Sequence, residues 1–438
     1  MSINVILSVV KAIQDKDFTP PQTIDLQIKK SSNQTNSVFV NHISPGRSTV
    51  GLSTVGKHKP TGQKLAAPQY NDKLVFLINA SIKLATMKHL LFITLIALTA
   101  CRKDHPPVDP PPPPPKTAVV STFAGDGTDA YLDGPLQSAR FHTPVDIAIS
   151  AGGTLYVADY NGRRIRKISG GQVSLLAGDG NFGTKDGAGD TARFVDPYRI
   201  EVDPGGNVYE MDMADARIRR ITPNGIVSTY AGTGVPGFRN GDVSIAQFSE
   251  GMGGIAIDAQ GDVYIDDTNN GRIRKISAVG QVSTFAGREQ KGFVDGDTSV
   301  AEFLDPNAIL FDLDGNMYVA DNGNYCIRKI TPAGKVSRFS GAGTHGMTDG
   351  DAGTAQFFFI YDMVMDKEGN ILLTDGDRIR KVTPLGQVTT IAGSTTGYAD
   401  GDGPMAKFNY PAGLAIDADG SLYVADAMNN RVRKISFK

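Results

Sequence analysis

The chain has 438 residues, a formal net charge of −2 and 21% charged residues. Near-neutral charge excludes a global pull toward nucleic acid or anionic membrane, so no nucleic-acid partner is expected. With 50 glycines, no tryptophan and two cysteines (Cys101 and Cys326), the composition favours tight turns between short strands over long helices. It gives no internal disulfide to expect, because Cys101 lies in a processing signal and Cys326 in a strand-like run.

Residues 1–86 carry no repeat and no sustained apolar period, and they are rich in polar residues, as in SSNQTNS at 31–37. Such a segment buries little core and is expected to be disordered or an upstream extension of the true start. Met87 then opens MKHLLFITLIALTAC. Lys88 and His89 form a short basic region, and the apolar stretch Leu90 to Leu98 is too short to span a bilayer comfortably. Small residues follow, which is the layout of a secretory signal over 87–100.

Leu98-Thr99-Ala100-Cys101 resembles the bacterial lipobox. The resemblance implies cleavage before Cys101, diacylation of that cysteine, and a lipoprotein of the bacterial cell envelope held on a membrane by its lipid. It departs from the family pattern in having 86 residues ahead of Met87. The linker 101–118 contains the run Pro110 to Pro115. This run favours polyproline II, and residues 106–115 would reach roughly 30 Å as a stiff stalk.

From 119 to 438 four phrases recur in fixed order, six times, at spacings of 52 to 55 residues. The first is VSTFAG at 120–125, with relatives at 173, 227, 282, 336 and 388. An Ala-x-Phe phrase ends at Phe141, Phe194, Phe248, Phe303, Phe357 and Phe408. A LYVAD-like phrase ends at Asp159, Asp212, Asp266, Asp321, Asp375 and Asp426. The last is RIRKI at 164–168 and its equivalents, ending with RVRKI at 431–435.

Each phrase is a short run of β-branched and aromatic residues bounded by turn formers, so each predicts a strand. Four strands per repeat, six times, predicts an all-β, six-bladed β-propeller. The domain begins with a VSTFAG phrase that has no RIRKI before it and ends with a RVRKI that has no VSTFAG after it. Strand 119–124 is therefore expected to pair in the last blade and close the ring, removing the open edges. The phrases resemble NHL repeats, which implies a TolB-like propeller. The resemblance is specific for fold and leaves function open, since propellers host unrelated activities.

The connections from each outermost strand to the next innermost strand (the d–a loops) are long and share one face with the b–c loops. Long loops on one rim of a rigid ring are where binding usually resides. They share an Asp/Asn-Gly step at Asp133, Asp186, Asn240, Asp295, Asp349 and Asp400. Two readings stand: turn formation with capping of a short helical turn, or calcium ligation by carboxylates and carbonyls. No other cofactor is expected. The aspartates that end the LYVAD phrases recur in every copy, which marks architecture, with pairing to arginine across blades expected.

A singular site should show as a departure from the repeat. Just before strand a, where the resemblance implies Gly, the third and sixth copies have Gly254 and Gly413, but the others have Asp146, Arg199, Ala308 and Asp362. Nearby singular residues are Tyr198, Glu201, Glu250, Asn307, Tyr361 and His142, and Glu201 stands where three copies have Ala. Asp146, Arg199, Glu201, Asn307 and Asp362 are the candidate ligand-binding set at the channel mouth. The same residues also fit a buried ionic network.

Two function classes follow. One is an envelope binding or scaffold module that presents its long-loop face to a protein or glycan. The other is a metal-dependent hydrolase or lyase of the gluconolactonase-like propeller type, with Glu, Asn and Asp ligands in the channel. Only His142 and His345 fall within the repeats, too few for a His-rich zinc site. Cys326 sits in a strand phrase and reads as a small core residue.

Overall fold

The computed structural model describes residues 23–29, 37–44 and 117–438. The chain divides into two units, Met1–Pro110 and Pro111–Lys438. In the first, strands Thr23–Lys29 and Ser37–Ser44 pair antiparallel. The signal-like stretch 87–100, Cys101 and most of the linker lie outside the described residues.

In the second unit each repeat folds into one antiparallel sheet, and six such sheets are formed. Blade 1 runs from its innermost strand a (Pro144–Ile149) through b (Leu155–Asp159) and c (Arg164–Ser169) to d (Gln172–Ala177). Strand b is buried along all five of its residues in every blade. Both of its faces are covered by neighbouring sheets, so its first three residues are apolar without alternation in every blade but the second, which has Glu210 third.

The ring closes as expected, with the sealing strand one residue longer. Strand Ala118–Ala124 pairs antiparallel with Arg431–Phe437, setting Ala118 against Phe437, Val120 against Ile435 and Thr122 against Arg433. Thr117 and Lys438 exchange backbone hydrogen bonds of 2.9 and 3.0 Å beyond it.

The d–a loops fold back over the outer edge of the blade they enter. Gly134–Pro135 pairs with the d strand of blade 1, and blades 3, 4 and 6 repeat this with Gly241–Asp242, Gly296–Asp297 and Gly401–Asp402. Bridges from Gly187 to Val227 and from Gly350 to Val388 do the same in blades 2 and 5. Every outer edge is thus capped by a short, turn-rich segment that offers little to a second chain.

The arginine at the third position of each RIRKI-like strand locks this arrangement. Arg166, Arg219, Arg274, Arg328, Arg380 and Arg433 are fully buried. In blade 4, Arg328 donates to Asp321 at 2.8 Å, to Asp295 at 2.6 Å, and to the carbonyls of Glu302 and Val294. Its guanidinium lies between the rings of Phe303 (5.1 Å) and Phe293 (4.5 Å). The Asp-Gly carboxylates Asp133, Asp186, Asp295, Asp349 and Asp400 therefore serve as arginine partners.

In five blades the aspartate that ends strand b pairs with arginine inside its own blade, where pairing across blades was expected; in blade 2 Asp212 accepts only backbone amides, and Arg219 pairs with Asp186. Each also accepts an amide from the residue after the Ala-x-Phe phrase, as Asp159 does from His142. In blade 3 the residue in this role is Asp267, which pairs with Arg274 at 2.6 Å. Asp266, read from the sequence as the repeat aspartate, is one position out of register.

Candidate functional site

The six strands a surround the axis. Asp146, Arg199, Ala308, Asp362 and Gly413 each occupy the third position of their strand. The sequence placed them just before it. The pairing between strands a and b shifts register there, between Pro144 and Asp146 and between Pro411 and Leu414 for example. A bulge of this kind re-aims the side chain it carries.

Arg199 belongs to blade 2 and donates to the carbonyl of Tyr361 on blade 5, directly across the ring. Its Nη1 stands 3.5 Å from Asp146 Oδ1. With 3% of its surface exposed, the guanidinium forms a charged plug. Asp146 Oδ2 accepts the Ile200 amide of blade 2 at 2.7 Å. Asp362 Oδ2 accepts the Leu414 amide of blade 6 at 2.7 Å, and its Oδ1 accepts Met363 at 2.8 Å. Asn307 donates to the carbonyls of Ile360 and Tyr361 at 3.0 and 3.2 Å. Side chains of one blade thus hold the innermost backbone of the next.

Four of the five predicted residues, Asp146, Arg199, Glu201 and Asp362, line a single cavity of about 340 Å³. Asn307 does not line it, but joins the same layer by sharing the Tyr361 carbonyl with Arg199. Burial, and then the Asp362 charge, push the Asp146 carboxyl well above the usual range, against the pull of Arg199. Burial also raises Asp362, with Arg199 again opposing it. Glu201 is lifted by burial to about 7, and its Oε1 accepts the Val202 amide at 2.9 Å. Gly413 is required here: a Cβ at that position would lie 2.2 Å from Asp146 Oδ1.

Sequence reasoning missed three polar residues near this layer. Asp266 is fully buried behind Gly254, whose amide donates to it at 3.1 Å, and its Oδ1 has no partner. Thr374 accepts the Asp362 amide and donates to the Ala412 carbonyl at 2.9 Å. Glu210 is fully buried in strand b of blade 2 with neither oxygen hydrogen-bonded. The doublet Asp266-Asp267 was the one available signal for the first.

On the long-loop side of the plug the non-repeating residues are aromatic. Tyr361 packs against Tyr410 at 4.5 Å and Phe359 at 4.8 Å, and Tyr198 packs against Tyr160 at 6.3 Å. Arg199 lies 4.9 Å from the Tyr198 ring and links the two groups. All five rings are partly exposed. Tyr410 has φ of 58°, a left-handed conformation that a bulky residue adopts only at a cost. His142 and Glu250 stand outside the cavity; His142 lies 3.3 Å from Asp129. Among the described residues no three His, Cys, Asp or Glu side chains are grouped to hold a metal ion.

The NHL repeat model matches residues 408–435. Among relatives, Protein SUPPRESSOR OF QUENCHING 1, chloroplastic, of Arabidopsis thaliana is 32% identical over 171 residues, 36% of this chain and 16% of the relative. Teneurin-3 of Mus musculus is 28% identical over 375 residues, 73% of this chain and 13% of the relative. The chain thus spans only a small part of either protein. Among solved structures, an auxiliary nutrient binding protein of Bacteroides thetaiotaomicron has a TM-score of 0.57 at 19% identity, over 74% of this chain and 77% of its own. A second protein of that organism, described as of unknown function, gives 0.56 at 22% identity, over 74% and 76%. These structural likenesses show the fold. The chain is a six-bladed β-propeller, and its last blade carries the NHL repeat.

Proposed function

We propose that the propeller is a binding module, held on the bacterial cell envelope by a lipid on Cys101 and presenting its long-loop face to a protein or glycan. The observation that carries this reading is the partly exposed cluster of Tyr160, Tyr198, Phe359, Tyr361 and Tyr410 at the channel mouth. Nothing in the repeat calls for aromatic side chains there, and rigid amphipathic rings around a polar centre suit recognition. The run Pro110 to Pro115 serves as the stalk that holds the ring clear of the lipid.

The test has two arms. In the first, the triple variant Tyr198→Ala, Tyr361→Ala, Tyr410→Ala is compared with wild type on a glycan array and against solubilised envelope proteins. The variant is expected to lose the partner that wild type retains; equal retention by a folded triple variant removes the aromatic face from the account. In the second, Cys101→Ser is expected to release the protein from membranes, and unchanged membrane association refutes the anchor.

A further inference from the structure

The channel has a second compartment that the aromatic face does not explain. Below the Arg199 plug, the cavity of about 340 Å³ extends along the C-terminal halves of the strands a. Its walls include Ile147, Ile149, Ile257, Phe311, Met365 and Ile416. The last five of these close their strands and are partly exposed, so the compartment is reached from the short-turn side. Its volume is at the lower end of the range for small-molecule sites.

One group on this wall breaks the pattern. Glu201 occupies the fifth position of its strand, where the other blades place Ala148, Ala256, Leu310, Val364 and Ala415. Its Oε1 is engaged by the Val202 amide, and its second oxygen is left for another donor. The remaining ionisable groups in the cavity are Asp362, with both oxygens on backbone amides, Asp146, with Oδ2 on the Ile200 amide and Oδ1 3.5 Å from Arg199, and the single cation Arg199. Carboxylates therefore outnumber guanidinium in the lining three to one.

One residue past the end of strand a, the blades place Asp203, Asp258, Asp312, Asp366 and Asp417, with Ser150 in blade 1. These aspartates hold their turns by accepting backbone amides, as Asp312 does from Asn316 at 2.8 Å, and strand c sets cations beside them, as Lys434 stands 3.8 Å from Asp417.

We infer that this compartment is a binding site for a small organic cation, a primary alkylammonium whose NH₃⁺ meets Glu201 and whose chain lies along the Ile, Phe and Met wall. A carboxylate accepts from an ammonium in a charge-assisted bond, and the apolar wall fits the alkyl part. The site is separate from the aromatic face and stands or falls without it.

The test is calorimetric titration of the full chain with n-hexylammonium, 1-hexanol and hexanoate at about pH 8, where Glu201 is ionised. n-Hexylammonium is expected to bind at least about tenfold more tightly than the alcohol, with no binding of hexanoate, and Glu201→Gln is expected to abolish that preference. In wild type, affinity should fall about tenfold between pH 8 and pH 5.5 as Glu201 takes up a proton. This wild-type profile decides the matter even if the variant does not fold. Equal affinity for ammonium and alcohol, a flat pH profile, or no binding at millimolar ammonium would each overturn the proposal.

Discussion

Glu210 offers a test of how burial acts on this ring. The side chain is fully buried, neither oxygen has a partner, and burial followed by the nearby Asp212 charge push its pKa well above the ordinary 4.5. The folded protein therefore holds a proton that the unfolded chain gives up above pH 4.5. Over that interval the unfolded state binds fewer protons, so stability from this group falls as pH rises, by about 1.4 kcal/mol per pH unit. Between 4.5 and 7 that amounts to at most about 3 kcal/mol, present while the folded pKa lies above the ambient pH. Burial of the neutral carboxyl without a hydrogen bond adds about 1–3 kcal/mol at any pH. Glu210→Met, of similar volume and apolar, is thus expected to stabilise the protein by about 2–5 kcal/mol at neutral pH, and by less at pH 4.5. Urea unfolding of both proteins at the two pH values measures this. A Glu210→Met that is destabilised at neutral pH, or a gain independent of pH, would refute the reasoning.

Other outcomes follow from the same geometry. Asp321→Ala, which strips a fully buried partner from Arg328, should cost about 3–5 kcal/mol in denaturant unfolding. Asp295→Ala, on the half-exposed side of the same arginine, should cost about 1 kcal/mol. Gly413→Ala should unfold or severely weaken the ring, because its methyl meets Asp146 within 2.2 Å. Gly153→Ala, with open space around it but φ of +78°, should cost only about 1 kcal/mol by thermal melt. Arg199→Gln removes the one cation facing Asp146 and Asp362. Their pKa values should rise further, and the stability lost relative to wild type should grow as pH is raised from about 4 to 7.

The ring was legible because a phrase repeated six times overrides the ambiguity of any one short apolar run. The lone fourth strand at the start and the three-strand blade at the end located the seal. Residues that vary between copies were harder to place. Asp146, Arg199, Glu201 and Asp362 were found because each replaces glycine or a small apolar residue at a fixed offset, and the fold brings them to one cavity. Asp266 was hidden by its neighbour Asp267, since one-residue ambiguity in a strand exchanges the two faces. Tyr160, Phe359 and Tyr410 lie outside the repeated phrases, so no register marked them, and only the topology joins them to Tyr198 and Tyr361. The partnership of the Asp-Gly loops with arginine was also invisible, because it joins residues about thirty positions apart, such as Asp133 and Arg166 at 2.5 Å.

Every site described above depends on a ring sealed by its own first strand. Native-state hydrogen exchange on the amides of Ala118–Ala124 tests that seal directly. The account predicts protection of the amides bonded to Arg431–Phe437 comparable to that of interior strands such as Leu422–Asp426. Exchange of 118–124 at the rate of a free tail, with the interior strands still protected, would contradict it.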